Sequence, residues 1–192
     1  MRLFVGLDLP WELKERLAVL GGGIPGARWV PTANFHLTLR FVGEVASHQA
    51  EEIDLALAVL RGKPFALTLA GMGTFAKGGR DTQLWAGVER NPALDLLQSK
   101  VETALQRACL PAERRRFTPH VTLARLDNAV PAKLAGFVQA HNLFRSATIM
   151  IDHFCLFSSR LGKEASVYTA EIDYYLQSVA DLSCLIDRMK KP

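Results

Sequence analysis

The sequence predicts an α+β fold built on antiparallel sheets. Three observations lead there. Strand-like and helix-like patterns are interspersed along the chain. Several neighbouring strands are separated by short hairpin-type turns, which favours antiparallel pairing over a doubly wound parallel sheet. The second half repeats the theme of the first, and each half holds one strand of the same local pattern, in Phe35–Phe41 and Pro119–Arg125.

The elements follow in order. Residues 2–8 read as a buried strand. Pro10 opens a helix with Leu13, Leu17 and Leu20 at helical spacing, and Gly21-Gly22-Gly23 ends it. Pro25, Gly26 and Pro31 mark a loop. Phe35–Val42 alternates as a strand. Ser47 is read as the N-cap of a helix through Leu60, with Ile53, Leu57 and Leu60 on one face. Phe65–Met72 and Thr82–Glu89 are strands joined by a basic glycine turn, Lys77–Asp81. Asn91-Pro92 is a cap-plus-first-turn signature for a helix carrying Leu94, Leu97, Val101 and Leu105 inward. Arg114–Phe117 leads into the strand Thr118–Leu126. Pro131 starts a helix through His141. Thr148–Phe157 and Val167–Leu176 are strands, and Ser178–Lys191 is an amphipathic helix.

Composition narrows the function classes. The chain has 192 residues, no long low-complexity stretch, and a net charge of +4. That suits a single domain with a real core and a mild preference for anionic ligands. The cysteines Cys109, Cys155 and Cys184 are odd in number, far apart and set in apolar surroundings. They predict free thiols in a reducing compartment rather than a disulfide framework. The N-terminal apolar run is too short for a signal peptide, being stopped by Asp8 and Pro10, and no stretch approaches a membrane span. A cytoplasmic, monomeric protein with no obligate protein partner is expected. There is no GxGxxG and no GxxxxGK[ST], so neither a dinucleotide fold nor a P-loop is supported.

The paired strands carry the chemistry. Side chains alternate faces along a strand, so His36 and Thr38 point one way and Leu37 and Leu39 the other. His120 and Thr122 likewise share a face opposite Val121 and Leu123. Two such strands flanking a cleft across a pseudo-twofold axis converge two imidazoles and two hydroxyls on one ligand. Imidazole titrates near 6.5, so one ring can take a proton from water while the other protonates a leaving oxygen. The hydroxyls can donate to non-bridging phosphate oxygens, where charge builds up. A retained internal duplication packed for structure alone is the bland alternative.

The same residues lie in longer stretches that resemble the two-histidine phosphoesterase superfamily, and more closely its RNA 2',3'-cyclic phosphodiesterase branch, also called 2'-5' RNA ligase. These are Arg2–Leu7, Arg28–Val30, Asn34–Val45, Leu84–Val88, Phe117–Arg125 and Leu156–Ser159 with Gly162 and Tyr168. The resemblance implies a bilobal fold over residues 1–176, two pseudo-twofold-related lobes with the active-site cleft between them; residues 177–192 extend past the usual family end and read as a C-terminal helical extension. It implies hydrolysis of RNA or nucleotide 2',3'-cyclic phosphates to 2'-phosphomonoesters, with reversible 2'-5' RNA ligation as a side activity and no metal or other cofactor. His36 and His120 are the implied catalytic residues, with His120 as base and His36 as acid. Thr38, Thr122 and Arg125 are the implied phosphate contacts. A relative acting on ADP-ribose cyclic phosphate or 2'-5' oligonucleotides, and a non-catalytic nucleotide- or RNA-binding module, are the rival readings.

Parity raises a question about two arginines. Strict alternation puts Arg125 on the apolar face, so either the strand bulges after Leu123 or Arg125 is a buried ion-pair residue. Arg40 falls on the histidine face, where it meets phosphate or solvent, and Phe41 falls in the core. Arg114, Arg115 and Arg116 form a solvated basic loop able to meet RNA phosphates. His48 and His141 are expected near helix ends. His153 alternates in a strand beside Cys155 and Asp152, with no third and fourth ligand apparent, so no metal site is expected there.

Overall fold

The computed structural model describes residues 1–162 and 166–176. The predicted extension at 177–192 lies outside them. The strands are β1 (Arg2–Asp8), β2 (Ala27–Trp29), β3 (His36–Glu44), β4 (Phe65–Leu67), β5 (Leu69–Lys77), β6 (Arg80–Val88), β7 (His120–Leu126), β8 (Ile149–Ile151), β9 (His153–Leu161) and β10 (Ser166–Tyr175). The helices are α1 (Trp11–Ala18), α2 (Ser47–Ala58), α3 (Pro92–Arg107) and α4 (Pro131–His141), with a 3-10 turn at Thr32–Asn34.

The antiparallel α+β expectation holds, with one difference in how the halves join. The sheets of the two halves form one continuous sheet in the order β10-β9-β1-β3-β7-β6-β5, with β2 on the free part of β7. Within that sheet β3 and β7 meet at a single antiparallel pair among the described residues, Leu37 with Val121. Each of these residues is fully buried.

One face of the sheet is the core. Leu3, Val5 and Leu7 of β1, Leu37 and Leu39 of β3, and Val121 and Leu123 of β7 belong to one cluster with the apolar stripes of the helices. Those stripes include Leu13 and Leu17, Ile53 and Leu57, and Leu94, Leu97, Val101 and Leu105. The other face has its own small cluster: Phe4, Cys155 and Phe157, with Tyr168 against it.

Several local expectations are corrected. Ser47 is the first helical residue of α2; the cap position is Ala46, and no side chain caps it. Asn91 does cap α3, its side chain accepting from Leu94 N–H at 3.1 Å. Phe65–Met72 divides at Thr68, whose hydroxyl hydrogen-bonds Thr148 at 3.0 Å. Thr148–Phe157 divides at Asp152. The short pieces β4 and β8 pair with each other as a separate two-stranded sheet. Continuous apolar alternation hides such a change of partner. The Lys77–Asp81 turn is a two-residue hairpin, Gly78-Gly79, with φ of 59° and 76° as a primed turn requires. The loop after Pro25 contains β2, which pairs with β7 from Ala27↔Leu126 to Trp29↔Ala124. Gly26 permits this approach: its φ is 81°, and a Cβ there would lie 2.5 Å from the Asp127 carbonyl oxygen.

The seam makes a stability prediction. Leu37→Ala removes a side chain with no solvent exposure from the only β3–β7 pair among the described residues. A loss of roughly 2–5 kcal/mol is expected in urea unfolding. A loss under 1 kcal/mol would mean the seam does not hold the halves together.

Candidate active site

The seam places the two motifs. Antiparallel pairing at Leu37↔Val121 sets His36 beside Thr122 and Thr38 beside His120, because neighbours on paired strands run in opposite directions. Burial alternates as expected on either side: His36, Thr38, His120 and Thr122 are partly exposed, while Leu37, Leu39, Val121 and Leu123 are buried. The four sequence-predicted residues are therefore together on the cleft face.

The two imidazoles are held in the same way. His36 Nδ1–H donates to the Asn34 carbonyl at 2.7 Å, and His120 Nδ1–H donates to the Thr118 carbonyl at 2.7 Å. A carbonyl only accepts, so the proton of each neutral ring is on Nδ1 and the lone pair is on Nε2. His36 Nε2 accepts from the Thr38 hydroxyl at 3.0 Å. Sequence reading had no signal for these tethers, because a backbone carbonyl two residues back is available to any residue type.

Aromatic rings wall each imidazole. His36 lies 4.7 Å from Phe4, 5.1 Å from Tyr168 and 5.9 Å from Phe157, centroid to centroid. His120 lies 4.8 Å from Phe75 and 6.3 Å from Trp85. The walls come from neighbouring strands: β1, β9 and β10 around His36, β5 and β6 around His120. Burial disfavours the charged ring. It pushes His36 down to about 4, helped by the Lys14 charge and opposed by the Asn34 carbonyl and Asp8. Burial also pushes His120 below its ordinary range, opposed by the Thr118 carbonyl.

Bulges settle the parity question. In β7, Leu84 pairs with Ala124 and Trp85 with Thr122, leaving Leu123 extra. One extra residue reverses the facing of everything beyond it. Arg125 is thus exposed on the cleft face, with Ala124 buried in its place. In β3, Val5 pairs with Arg40 and Gly6 with Thr38, leaving Leu39 extra. Arg40 therefore turns to the helix side. Its Nε donates to Glu102 of α3 at 2.6 Å, its Nη2 to the Pro111 carbonyl at 2.6 Å, and its Nη1 to the Phe41 carbonyl. Burial opposes ionisation of Glu102, but hydrogen bonds from Gln106, the Glu113 amide and Arg40 hold its carboxyl below the ordinary range. Phe41 pairs with Phe4 and is 52% exposed. Both expectations for β3 are corrected: Arg40 is the structural ion-pair residue, and Phe41 is on the cleft face.

Two cavities adjoin the site. One of about 600 Å³ is lined by Thr38 and His120 together with Phe41, Lys77, Arg115 and Arg116. The other, about 280 Å³, is lined by Arg28, Asn34, Arg125 and Tyr168. His36 and Thr122 line neither. Arg28 and Arg125 are cross-strand neighbours. Like charges placed opposite one another are unfavourable, so this pair suits an anionic ligand. Reading Arg28 as loop concealed it. Arg115 is tied to Glu113 at 3.1 Å, and Arg114 is exposed. His48 is exposed and His141 ends α4, as expected.

Comparison with known proteins bears on the family and the fold. A family model described as the 2'-5' RNA ligase superfamily matches residues 15–163. A protein of Geobacillus stearothermophilus named RNA 2',3'-cyclic phosphodiesterase is 33% identical over 128 residues, which is 64% of this chain but only 41% of that protein. A protein of the same name from Thermotoga maritima is 30% identical over 175 residues, 88% of this chain and 91% of the relative. The crystal structure of E. coli LigT complexed with 3'-AMP superposes with a TM-score of 0.76 at 26% identity, covering 92% of this chain and 98% of that one. No helix among the described residues is long and apolar enough to cross a membrane.

The exchange of arginines is testable. Arg40→Ala leaves Glu102 without its guanidinium, and about 3 kcal/mol of stability should be lost. Arg125→Ala removes an exposed side chain, and its urea midpoint should stay within the error of the wild type. Equal stability losses in both variants would refute the assignment.

Proposed function

This chain belongs to the 2'-5' RNA ligase superfamily, and on that premise we propose that it hydrolyses RNA or nucleotide 2',3'-cyclic phosphates to 2'-phosphomonoesters with two imidazoles and no metal. The observation that carries this is the matched pair of Nδ1-tethered imidazoles on one face, each with Nε2 left to exchange a proton. Binding alone needs no such pair.

His120 Nε2 takes a proton from water as the water oxygen attacks phosphorus in line. The bond to ribose O3' breaks, and O3' takes a proton from His36 Nε2. A 2'-phosphate remains. The rings end with exchanged protonation states and reset through solvent. Thr38 and Thr122 donate to the non-bridging oxygens, and Arg125 with Arg28 balances the phosphate charge. The phosphodiester anion offsets the burial that keeps His36 neutral in the resting enzyme. A ribose 5'-hydroxyl attacking in place of water, with the same departure of O3', gives 2'-5' ligation.

A second reading rests on one specific observation. Resting His36 is neutral, and its Nε2 lone pair already accepts from Thr38, the arrangement of a base. In that reading His36 takes the proton of water and His120 protonates the leaving oxygen. With the ribose bound in one orientation the two readings expel opposite oxygens. The position of phosphate in the product therefore separates them: a 2'-phosphate supports the first, a 3'-phosphate the second.

Removing either imidazole should lower turnover of a cyclic mononucleotide by roughly two to four powers of ten. The wild type should keep full activity in excess chelator. Near-full activity of His36→Ala or His120→Ala, or loss of activity on chelation, would refute the scheme.

The pH dependence has a definite sign. One ring must be protonated, and in the free enzyme both lie below 6.5. The kcat/KM profile should therefore peak on the acid side of 6.5 and fall as pH rises through it. Bound phosphate raises both rings, so the kcat profile should lie to the alkaline side of the kcat/KM profile. Superimposed profiles would show that the substrate anion does not tune the pair.

A further inference from the structure

We propose that His153, Cys155 and Asp173 form a binding site for one divalent metal ion of the zinc class, on the cleft face of the sheet and separate from the His36 site. The sequence offered only His153 and Cys155 with Asp152, too few ligands. The fold supplies the third from β10, the edge strand. One nitrogen of His153, the Cys155 sulfur and one Asp173 carboxylate oxygen all lie within 4.8 Å of one another. Nitrogen, sulfur and oxygen donors in one cluster are the set that zinc and cobalt accept and that magnesium and calcium do not.

A bulge makes the cluster. Ala170 pairs with Phe157 but Ile172 with Leu156, leaving Glu171 extra. Without that extra residue Ile172 would stand opposite Cys155. With it, Asp173 does. His153 and Cys155 share the cleft face by alternation, while Phe154 and Leu156 enter the main core. Cys155 is buried, His153 is half-buried and Asp173 is exposed. A dry sulfur floor with an open mouth gives an ion a route in and leaves a fourth position for water.

The surroundings support the ligands. Asp152 accepts from His153 Nδ1 at 2.6 Å. This fixes the ring proton on Nδ1 and leaves the lone pair on Nε2, the carboxylate–histidine arrangement that orients metal-binding imidazoles. The Asp173 carboxylate stands opposite Cys155 across the β9–β10 pair, so sulfur and oxygen face one ion, and binding it releases the thiol proton to solvent. Cys155 pairs with Gly6, and Gly6 with Thr38, so the site is two strand spacings, about 10 Å, from Thr38. The ion would clip β10 to β9. Its role is structural, and its readout is independent of turnover.

Cobalt(II) titration of the full chain, first stripped with chelator and dialysed, tests this. One equivalent should bind, with a thiolate-to-cobalt charge-transfer band in the near ultraviolet and a rise in melting temperature. Cys155→Ser should lose the band, and Cys109→Ser, which alters an exposed thiol, should keep it. Asp152→Asn should weaken binding roughly 10–100-fold, and Asp173→Asn at least as much. Asp173 is exposed, so Asp173→Asn keeps the test decisive even if Cys155→Ser fails to fold. Absence of saturable binding, a band that survives Cys155→Ser, or unchanged affinity in Asp173→Asn would overturn the proposal.

Discussion

A single backbone pairing, Leu37 with Val121, is what the rest of this molecule depends on. It joins the two halves of the sheet, and an antiparallel pair carries a local twofold axis of its own. Any residues flanking the pair on one strand are therefore matched across the axis by their counterparts on the other. The motif His-x-Thr, placed so that x is the paired residue, automatically yields two imidazoles and two hydroxyls on one face. The apolar residue in the middle of each motif thus has as much to do with the site as the polar ones. It buries the seam, and the seam sets the geometry.

Alternation made most of this legible. The strands flanking the seam, the helix stripes, the Asn91 cap and the four His and Thr positions follow from period two, period 3.6 and cap chemistry. The failures have a common physical cause. A β-bulge adds one residue to one strand without any compulsory residue type, and it reverses the facing of all that follows. Leu39 is an ordinary core residue in an apolar run, so nothing marks it as the extra one, while the parity of Arg125 left a bulge after Leu123 or a buried ion pair as the choices. The outcome is that Arg40, expected on the ligand face, is locked to Glu102, and Arg125 is exposed on the cleft face beside Arg28. The resemblance to relatives pointed to Arg125, but only the register explains how it reaches the cleft.

Partner-switching is the second cause. Phe65–Met72 and Thr148–Phe157 each read as one strand, yet each serves two sheets with a break at Thr68 or Asp152. Cross-strand partners are a tertiary property, and the local pattern is the same whichever strand is next door. The tethers on the imidazoles were invisible for a related reason. The Asn34 and Thr118 carbonyls are backbone groups, so any sequence could supply them.

The aromatic walls add the last constraint. A phosphodiester can be cleaved by imidazoles in water, but slowly, since both rings keep their solvated pKa and nothing links their states. Here the walls from Phe4, Phe157 and Tyr168 on one side and Phe75 and Trp85 on the other strip water from both rings. That makes a charged ring costly in the empty cleft, as the depressed His36 and His120 show. The cost is removed only when an anion arrives to pair with the imidazolium. In the proposed mechanism desolvation therefore does more than exclude water: it couples the proton needed for leaving-group departure to the presence of the phosphate. The same burial, applied without any nearby anion, would merely disable the site. Arg28 and Arg125 answer the opposite need in that mechanism, since a dry neutral cleft would otherwise have little attraction for an anion. Two cations paired across β2 and β7 and two neutral rings flanking the seam then divide attraction from catalysis, and the strand register separates the two.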